Sequence, residues 1–359
     1  MGRNWLGERP SARFMPGSIP EEQLPRTEID LNSIHEGWRM KKVLRITAYI
    51  FIFLLLVLLI GPFLIPIPPL TDTVPARTLA SEPSQFLTLP FPGTDGLEIH
   101  YWDSGAGEPT FLLLHGFASN LYTWDEVFPY FAEHGRAVSY DRPAFGLSAR
   151  PLAGDWQEQN PYSREAAVSQ AITFMDELNI ETAVLVGNSA GGALAMQIAA
   201  AHPERVDGLI LASPAVYTGN GAPAFVQTLA QTPQLQRIGP LFARILATLE
   251  PPDFLTAVQK EQAAIALKVN NWDKALWEFT AASSQIDLLA QFSRLTMPTL
   301  VITGELDNIV PADESIRLAD ELPNAELVVI PDCGHIPQQE CEAPFLQAVE
   351  DWLATRPGK

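Results

Sequence analysis

Residues 183–192, A-V-L-V-G-N-S-A-G-G, constrain the fold of this chain more than any other stretch. The first five residues are typical of a buried strand, and they lead into a Gly-x-Ser-x-Gly turn that opens a helix. A side chain at Gly187 or Gly191 would crowd this turn, so the glycines permit a sharp reversal. The pattern predicts that the Ser189 hydroxyl is exposed at the tip of the turn.

The predicted position of Ser189 suits a nucleophile. The N–H of Ala190 would point out of the first turn of the following helix, where it is placed to stabilise an oxyanion. A serine hydroxyl also needs a base within hydrogen-bond reach and an acid that orients the base. Without such partners, the stretch would be a glycine-rich turn with an incidental serine.

Two histidines follow Ser189 in the chain, and His335 is the candidate base. It lies in the loop after a short apolar strand predicted at 326–330. His202 falls instead at the end of the helix that begins after Ser189, where we expect a surface or C-cap residue. The order of serine, acid and histidine in this architecture then requires an acid between Ser189 and His335.

Asp307 is the candidate acid, because it lies just beyond a strand predicted at 299–304. Glu305 and Asp313 are close enough to be rivals, and Asp307 beside an asparagine also suits a simple turn. The chain between the acid and the histidine has room for one helix, at about 312–321, and one strand. Such a crossover brings both loops to the same edge of a parallel sheet.

A second oxyanion donor is predicted after the apolar strand in F-L-L-L-H-G-F, residues 111–117. The loop after this strand supplies a backbone N–H in the same architecture, and Phe117 is the candidate donor. His115 is a possible second base, although its place beside Gly116 favours bracing the loop. We also take His115 and Gly116 as candidate substrate contacts.

These motifs resemble those of the alpha/beta-hydrolase superfamily over residues 84–356. The branch with His-Gly-Phe and Gly-Asn-Ser-x-Gly-Gly includes esterases, monoacylglycerol lipases and meta-cleavage-product C–C hydrolases. The resemblance implies a mostly parallel eight-stranded sheet with helices on both faces. D-R-P-A-F-G-L-S at 141–148 is similar to the family's Asp-x-Pro-Gly-x-Gly-x-Ser, with Ala144 in place of the first glycine. Asn188 stands where many lipases carry histidine, and Ser189 argues against haloalkane dehalogenases and epoxide hydrolases, which need an aspartate.

The chain divides into a core at 84–214 and 291–356 and a helical cap at 215–290. Alternating strand and helix patterns fill the core, whereas we find no convincing strand in the cap. Prolines are expected to break the cap helices, and they occur at Pro223, Pro233, Pro240 and Pro251-Pro252.

The apolar cap favours an uncharged, lipophilic substrate. Its large apolar side chains either line a substrate cavity or only hold the cap on the core. The candidates are Phe225, Leu229, Phe242, Leu246, Trp272 and Trp277, and the two tryptophans are our candidate substrate contacts.

A single apolar stretch precedes the core. Residues 46–65 hold 20 residues without a charge, about 30 Å as a helix, which is enough to cross a bilayer core. We predict a transmembrane helix at 43–65 after a disordered tail at 1–42, followed by a proline-rich linker at 66–83. A cleaved signal peptide ending near 73–77 is the alternative, but the stretch is long and its N-terminal flank is extended.

The charges around this stretch predict its orientation. Arg39, Lys41, Lys42 and Arg45 precede it, and the next charged residue after it is Asp72. The positive-inside rule then leaves the N-terminus in the cytoplasm and the hydrolase domain outside. With a net charge of −19, concentrated after residue 45, the chain is a poor candidate for binding nucleic acid or anionic lipid surfaces.

The two cysteines, Cys333 and Cys341, flank His335. A disulfide is conceivable in an oxidising compartment, but buried free thiols are the favoured state. The sequence has no metal-ligand spacing and no phosphate-binding loop, and we expect neither a metal nor a cofactor.

Together these features predict a membrane-anchored serine hydrolase that cleaves carboxylic esters of lipophilic acyl or aryl substrates. Ser189, His335 and Asp307 form its triad, and the oligomeric state stays open. Hydrolysis of a carbon–carbon bond in a vinylogous diketone is the alternative within the fold. A non-catalytic binding protein on the same scaffold is the alternative of another class.

Overall fold

The computed structural model describes residues 31–217, 224–248, 254–284 and 288–355. The chain divides into two units, residues 1–58 and 59–359. The first helix, α1, spans Leu31–Leu64 and crosses this division. Residues 1–30 of the predicted disordered tail lie outside the described residues. Residues 31–42 are helical, which corrects the tail boundary, because no proline precedes Pro62 in this stretch and Leu, Met, Lys and Arg favour helix.

Within α1, residues Trp38–Leu64 are long and apolar enough to cross a membrane, by length and composition alone. Pro62 lies inside the helix near its end. The apolar side chains of this stretch are exposed along its whole length. A helix that is apolar on all sides has no polar face to turn toward water.

Eight strands form one sheet in the order β1-β2-β4-β3-β5-β6-β7-β8. Pairing is antiparallel between β1 and β2 and between β2 and β4, and it is parallel elsewhere. The predicted fold, a mostly parallel eight-stranded sheet, is therefore confirmed. The strands are β1 Gln85–Leu89, β2 Leu97–Gly105, β3 Thr110–Leu114, β4 Arg136–Tyr140, β5 Ala183–Asn188, β6 Val206–Ala212, β7 Thr299–Gly304 and β8 Ala325–Ile330.

Helices cover both faces of the sheet. Successive residues of β3 alternate between two apolar clusters: Phe111 and Leu113 face one, and Leu112 and Leu114 face the other. All four are fully buried, as expected for a parallel strand with helices on either side. The core helices are α2 Phe128–Glu133, α3 Arg164–Glu177, α4 Ala190–Ala201, α9 Ala312–Glu321, α10 Pro337–Glu340 and α11 Glu342–Ala354.

In the described residues, the segment between β6 and β7 consists of helices joined by turns and loops, and it contains no strand beyond isolated bridges. Its helices are α5 Ala224–Ala230, α6 Pro233–Leu246, α7 Ala257–Ala263 and α8 Trp272–Ala282. Pro233 opens α6 as predicted, whereas Pro223 and Pro251-Pro252 lie outside the described residues.

The break predicted at Pro240 is wrong, because α6 continues through this residue. A Cβ atom at Gly239 would collide with the Trp277 ring on α8. The glycine therefore lets α6 and α8 pack closely, and this packing is available to offset the backbone hydrogen bond that a proline removes.

Candidate active site

Ser189 occupies the strained turn between β5 and α4. Its φ is +54° and its ψ is −119°, a backbone conformation that residues other than glycine rarely adopt. A Cβ at Gly187 would lie 2.6 Å from backbone atoms of Gly191. A Cβ at Gly191 would collide with the carbonyl oxygen of Leu114. The two glycines are thus required by close backbone approach, for the reason that the sequence pattern indicates.

The two candidate oxyanion donors follow neighbouring parallel strands. Leu114 of β3 pairs with Gly187 of β5, so Phe117 and Ala190 each lie three residues beyond a paired position. The two loops lie close together, since a Cβ atom at Gly116 would be only 3.4 Å from the Ser189 Cβ. Neither backbone N–H donates a hydrogen bond to another residue of the described chain. Both are therefore available to an oxyanion.

His335 and Asp307 meet at the same edge of the sheet, after β8 and β7. Nδ1 of His335 lies 2.8 Å from a carboxylate oxygen of Asp307. Asn188, beside the serine, donates from Nδ2 to the His335 carbonyl oxygen at 3.2 Å. The histidine loop is thus fastened to the turn that carries Ser189. Within the described ranges, the ring has no other hydrogen bond, which leaves Nε2 free to accept a proton.

Asp307 is buried, whereas its rivals Glu305 and Asp313 are exposed. Its second carboxylate oxygen accepts the N–H groups of Ile309 and Val310, both at 2.9 Å. Burial raises the pKa of Asp307, but hydrogen bonding and the charge of His335, with the two amides, outweigh burial and lower it overall. The carboxylate therefore stays ionised and orients the ring.

The other two histidines considered in the sequence have no place in this arrangement. His115 is fully buried, and its ring nitrogens bond to the Gly116 carbonyl and the Arg142 N–H. Burial, with the charge of Arg142, lowers the pKa of His115 to about 3. It braces its loop as a neutral ring and cannot contact a substrate. His202 is the C-cap residue of α4.

Cys333 and Cys341 form a disulfide, with Cα atoms 6.1 Å apart. The favoured prediction of free thiols is therefore wrong. The short helix α10 folds the chain back after His335, so the residue that precedes α11 returns to the fully buried Cys333. The bridge encloses the histidine between its two ends.

The loop after β4 makes a buried contact between a carboxylate and a histidine of β2 that we did not identify from the sequence. Nδ1 of His100 lies 2.7 Å from Asp141, and the same carboxylate accepts the N–H groups of Leu121 and Leu147. Asp141 is the first residue of the D-R-P-A-F-G-L-S stretch, and its similarity to the family motif was the feature of the sequence that pointed to this loop. Ala144, in place of a glycine, has a φ of +80°, so the departure from the family pattern carries local strain.

A cavity of about 100 Å³ opens beside Ala190 and Phe117. It extends between the loop after β4 and the helices α3, α4 and α8, and two of its lining residues, Arg142 and Arg164, are charged. We did not identify either arginine from the sequence, because Arg142 follows β4, Arg164 begins α3, and no motif contains both. The remaining lining residues are Tyr162, Ser163, Ala167, Ala193, Leu194, Gln197, Ala215, Phe279 and Ser283.

The cap residues predicted to line the cavity do not reach it. Trp272 is buried elsewhere, and Trp277 packs on α6, stacked on Phe242 with ring centroids 6.1 Å apart. The remaining candidates are exposed. The exposed side chains are Phe225, Leu229, Phe242 and Leu246, with 46–68% of their surface accessible. Phe279 of α8 is the aromatic cap residue that contacts Phe117, at 5.9 Å between centroids.

Comparisons with known proteins agree with this architecture. Residues 109–340 match the family model of the alpha/beta hydrolase fold. A 2-hydroxymuconate semialdehyde hydrolase of Pseudomonas sp. strain CF600 is 34% identical over 72% of this chain and 91% of its own length. A 2-hydroxy-6-oxo-6-phenylhexa-2,4-dienoate hydrolase of Burkholderia cepacia is 30% identical over 76% and 97%. A thermophilic esterase of Thermogutta terrifontis is similar in structure, with a TM-score of 0.61, 25% identity and coverage of 75% and 98%.

These relatives overturn the prediction of carboxylic ester cleavage. The two sequence relatives are hydrolases of meta-cleavage products, which break a carbon–carbon bond, and they match over nearly their whole lengths. The motifs used for the ester prediction specify only a nucleophile, a base and an oxyanion site, and these serve attack on any carbonyl carbon. They cannot distinguish an ester from a ketone.

Proposed function

Because the chain belongs to the alpha/beta-hydrolase family, we propose that it is a hydrolase of the meta-cleavage-product type. Its substrates would be small 2-hydroxy-6-oxo-dienoates, in which a ketone lies at one end of a conjugated acid. The observation that carries this proposal is the similarity to two such hydrolases over 91% and 97% of their lengths. The contact between His335 and Asp307, beside the Ser189 turn, supplies the catalytic groups that the reaction needs.

In this proposal Ser189 Oγ attacks the ketone carbon while His335 Nε2 takes its proton. The N–H groups of Phe117 and Ala190 hold the tetrahedral oxyanion. Before cleavage the substrate must move its 2-hydroxyl proton to C5, which gives the 2,6-dioxo-3-enoate tautomer. When the tetrahedral intermediate of this tautomer collapses, the C5–C6 bond breaks and its electron pair moves into the 2-oxo-3-enoate fragment as a dienolate. His335 returns the proton to that fragment. Water then hydrolyses the acyl-enzyme and releases the second product as a carboxylic acid.

Asp307 acts through the base rather than on the substrate. Its carboxylate accepts the Nδ1–H of His335 and fixes the tautomer in which Nε2 is unprotonated. The positive charge that His335 acquires is then balanced by a carboxylate that stays ionised. This assignment agrees with the lowered pKa of Asp307.

Turnover of 2-hydroxy-6-oxo-6-phenylhexa-2,4-dienoate tests the proposal. We expect the wild-type protein to bleach the dienoate with a kcat/KM well above that for p-nitrophenyl acetate, and Ser189→Ala to lose turnover. A fluorophosphonate probe should label the wild type and leave Ser189→Ala unlabelled. A labelled, folded wild type that leaves the dienoate intact would refute carbon–carbon hydrolysis. Label that persists in Ser189→Ala would place the nucleophile elsewhere.

We further propose that α1 anchors the enzyme in a membrane with the N-terminus in the cytoplasm. The length and apolar surface of residues Trp38–Leu64 support an anchor, and Arg39, Lys41, Lys42 and Arg45 support this orientation. The disulfide favours an oxidising compartment for the catalytic domain. A protease added to intact cells should digest the catalytic domain, and resistance to it before lysis would reverse the orientation.

A further inference from the structure

The neighbouring cap helices α5 and α6 each carry a row of exposed apolar side chains. Spacings of three and four residues place the members of each row on one side of their helix. Single exposed apolar residues are normal, but two rows on helices that touch each other form a patch of the kind that contacts another apolar phase. The cap patch consists of Phe225, Val226 and Leu229 on α5 and Phe242, Ile245 and Leu246 on α6, with 37–68% of their surface accessible.

The segment that carries the cap patch has no acidic residue. Neither aspartate nor glutamate occurs between Asp207 and Glu250, although the chain contains 42 acidic residues. The charged residues of α5 and α6 are Arg237 and Arg244, and Arg244 pairs with Asp273. Carboxylates are costly to bring into lipid and are repelled by anionic headgroups. This segment is therefore a part of an otherwise acidic domain that a lipid surface does not repel.

The end of α1 lies against α6. Residues 59–64, the last of α1, belong to the same unit as the cap. Nε2 of Gln234 donates to the Leu59 carbonyl oxygen at 3.3 Å, and an Nη of Arg237 donates to the Ile65 carbonyl oxygen at 3.2 Å. Two side chains of α6 therefore hold the last turn of the apolar helix.

This contact places the cap patch at the level where the apolar stretch ends. Gln234 and Phe242 are eight residues apart, so both project from the same side of α6. The charge-free residues 46–65 end at Ile65, and the end of a membrane-spanning stretch lies at the bilayer surface. Apolar side chains at that level can enter the boundary between headgroups and acyl chains, as those of interfacial amphipathic helices do.

We propose that α5 and α6 form a docking surface for the outer face of the membrane that holds α1. The cap patch enters the lipid, and Arg237, which makes no ion pair in the described residues, has further N–H groups to offer a lipid phosphate. The location of the membrane at this surface rests on the proposed anchor. The apolar and acid-free character of the surface does not.

The test places a fluorophore on single added cysteines of the full-length protein, which is then reconstituted into phosphatidylcholine vesicles. Both native cysteines are in the disulfide, so an added cysteine is the only free thiol. Phe225→Cys reports on the cap patch, Leu55→Cys reports on α1, and Gln347→Cys on the exposed side of α11 is the control. We expect lipid brominated on its acyl chains to quench the first two reporters and to leave the control unquenched.

The double variant Leu229→Asp/Leu246→Asp, made in the Phe225→Cys protein, tests the cap patch itself. Each leucine that enters lipid contributes about 10-fold to 100-fold to the ratio of docked to undocked protein. The ratio, read from the quenched fraction, should therefore fall at least about 10-fold in the double variant. The matched control Leu327→Asp changes an exposed leucine of β8 and should leave the ratio unchanged. Thermal unfolding at the wild-type temperature verifies that the variants are folded.

The reporters separate the docking surface from the anchor. Quenching at Leu55→Cys without quenching at Phe225→Cys overturns the docking surface and leaves the anchor standing, and the reverse refutes the anchor and supports the docking surface. If neither is quenched, both proposals fail. Quenching that survives the two aspartates also overturns the docking surface. A Phe225→Cys reporter that is shielded from water but insensitive to bromine would overturn it in favour of a second copy of the chain.

Discussion

Removing the disulfide that encloses His335 should destabilise the domain by a calculable amount. Cys333 and Cys341 are 8 residues apart, and closing such a loop lowers the entropy of the denatured chain by about 8 cal/mol/K, or ~2.5 kcal/mol at 25 °C. For a domain of this size the loss corresponds to a fall in Tm of roughly 5 °C. Activity should fall too, because the bridged segment carries the His335 ring that must meet Ser189.

The assay compares thermal unfolding of the wild type with and without dithiothreitol, and of Cys333→Ala/Cys341→Ala. These are the only cysteines in the chain, so the double variant is a control that should unfold at the same temperature in both conditions. Thiol titration of the denatured, unreduced wild type should find no free thiol. Two free thiols, or a wild-type Tm that is insensitive to reductant, would refute the reasoning.

Two further substitutions test the site and its turn. Asp307→Asn should lower kcat by about 10⁴-fold, the effect of the matching change in serine proteases, because the amide favours the wrong tautomer of His335; near-wild-type turnover would contradict this. Folding lowers the pKa of Asp307, so the ionised carboxylate stabilises the folded protein at pH values above the unfolded pKa of about 3.9. This stabilisation is lost as the pH falls through the pKa of the folded protein. Urea midpoints of wild type and Asp307→Asn should therefore differ at pH 6 and converge only below pH ~4, and convergence at higher pH would argue against an ionised Asp307. Gly191→Ala should cost at least about 1–3 kcal/mol, because its Cβ meets the carbonyl oxygens of Leu114 and His115, and an unchanged Tm with normal fluorophosphonate labelling would contradict the close approach.

The sheet and the loops at its edge could be predicted from the sequence because their determinants are local. Apolar runs mark the strands, and parallel strands bring their carboxyl ends to one edge. Asp307 lies three residues beyond β7, as Phe117 lies three beyond β3, so both could be placed by counting from a strand end. The strand predicted at 299–304 and the helix at 312–321 have these bounds in the structure.

The cap could not be predicted at the same level, because an amphipathic pattern shows that a helix has an apolar side but not what that side contacts. Phe225 and Phe279 lie in similar apolar stretches, yet Phe225 is 68% exposed and Phe279 lines the cavity. The helix through Pro240 packs closely on α8 where Gly239 meets Trp277, which is a tertiary contact that the local sequence does not specify. The disulfide likewise depends on the fold-back at α10, which no spacing rule for two cysteines specifies.

This division between local and tertiary determinants explains why the positions of the candidate catalytic residues were easier to predict than the bond that is cleaved. These residues belong to loops whose positions follow from strand order, and such groups can act on any carbonyl carbon that is brought to them. Selectivity depends on what surrounds the rest of the substrate, and the two charged residues that line the described cavity, Arg142 and Arg164, come from the loop after β4 and the start of α3. These elements are joined by more than twenty residues of chain and become neighbours only when α3 packs on the sheet. The described cavity therefore carries two basic side chains, which the apolar residues of the cap did not lead us to expect.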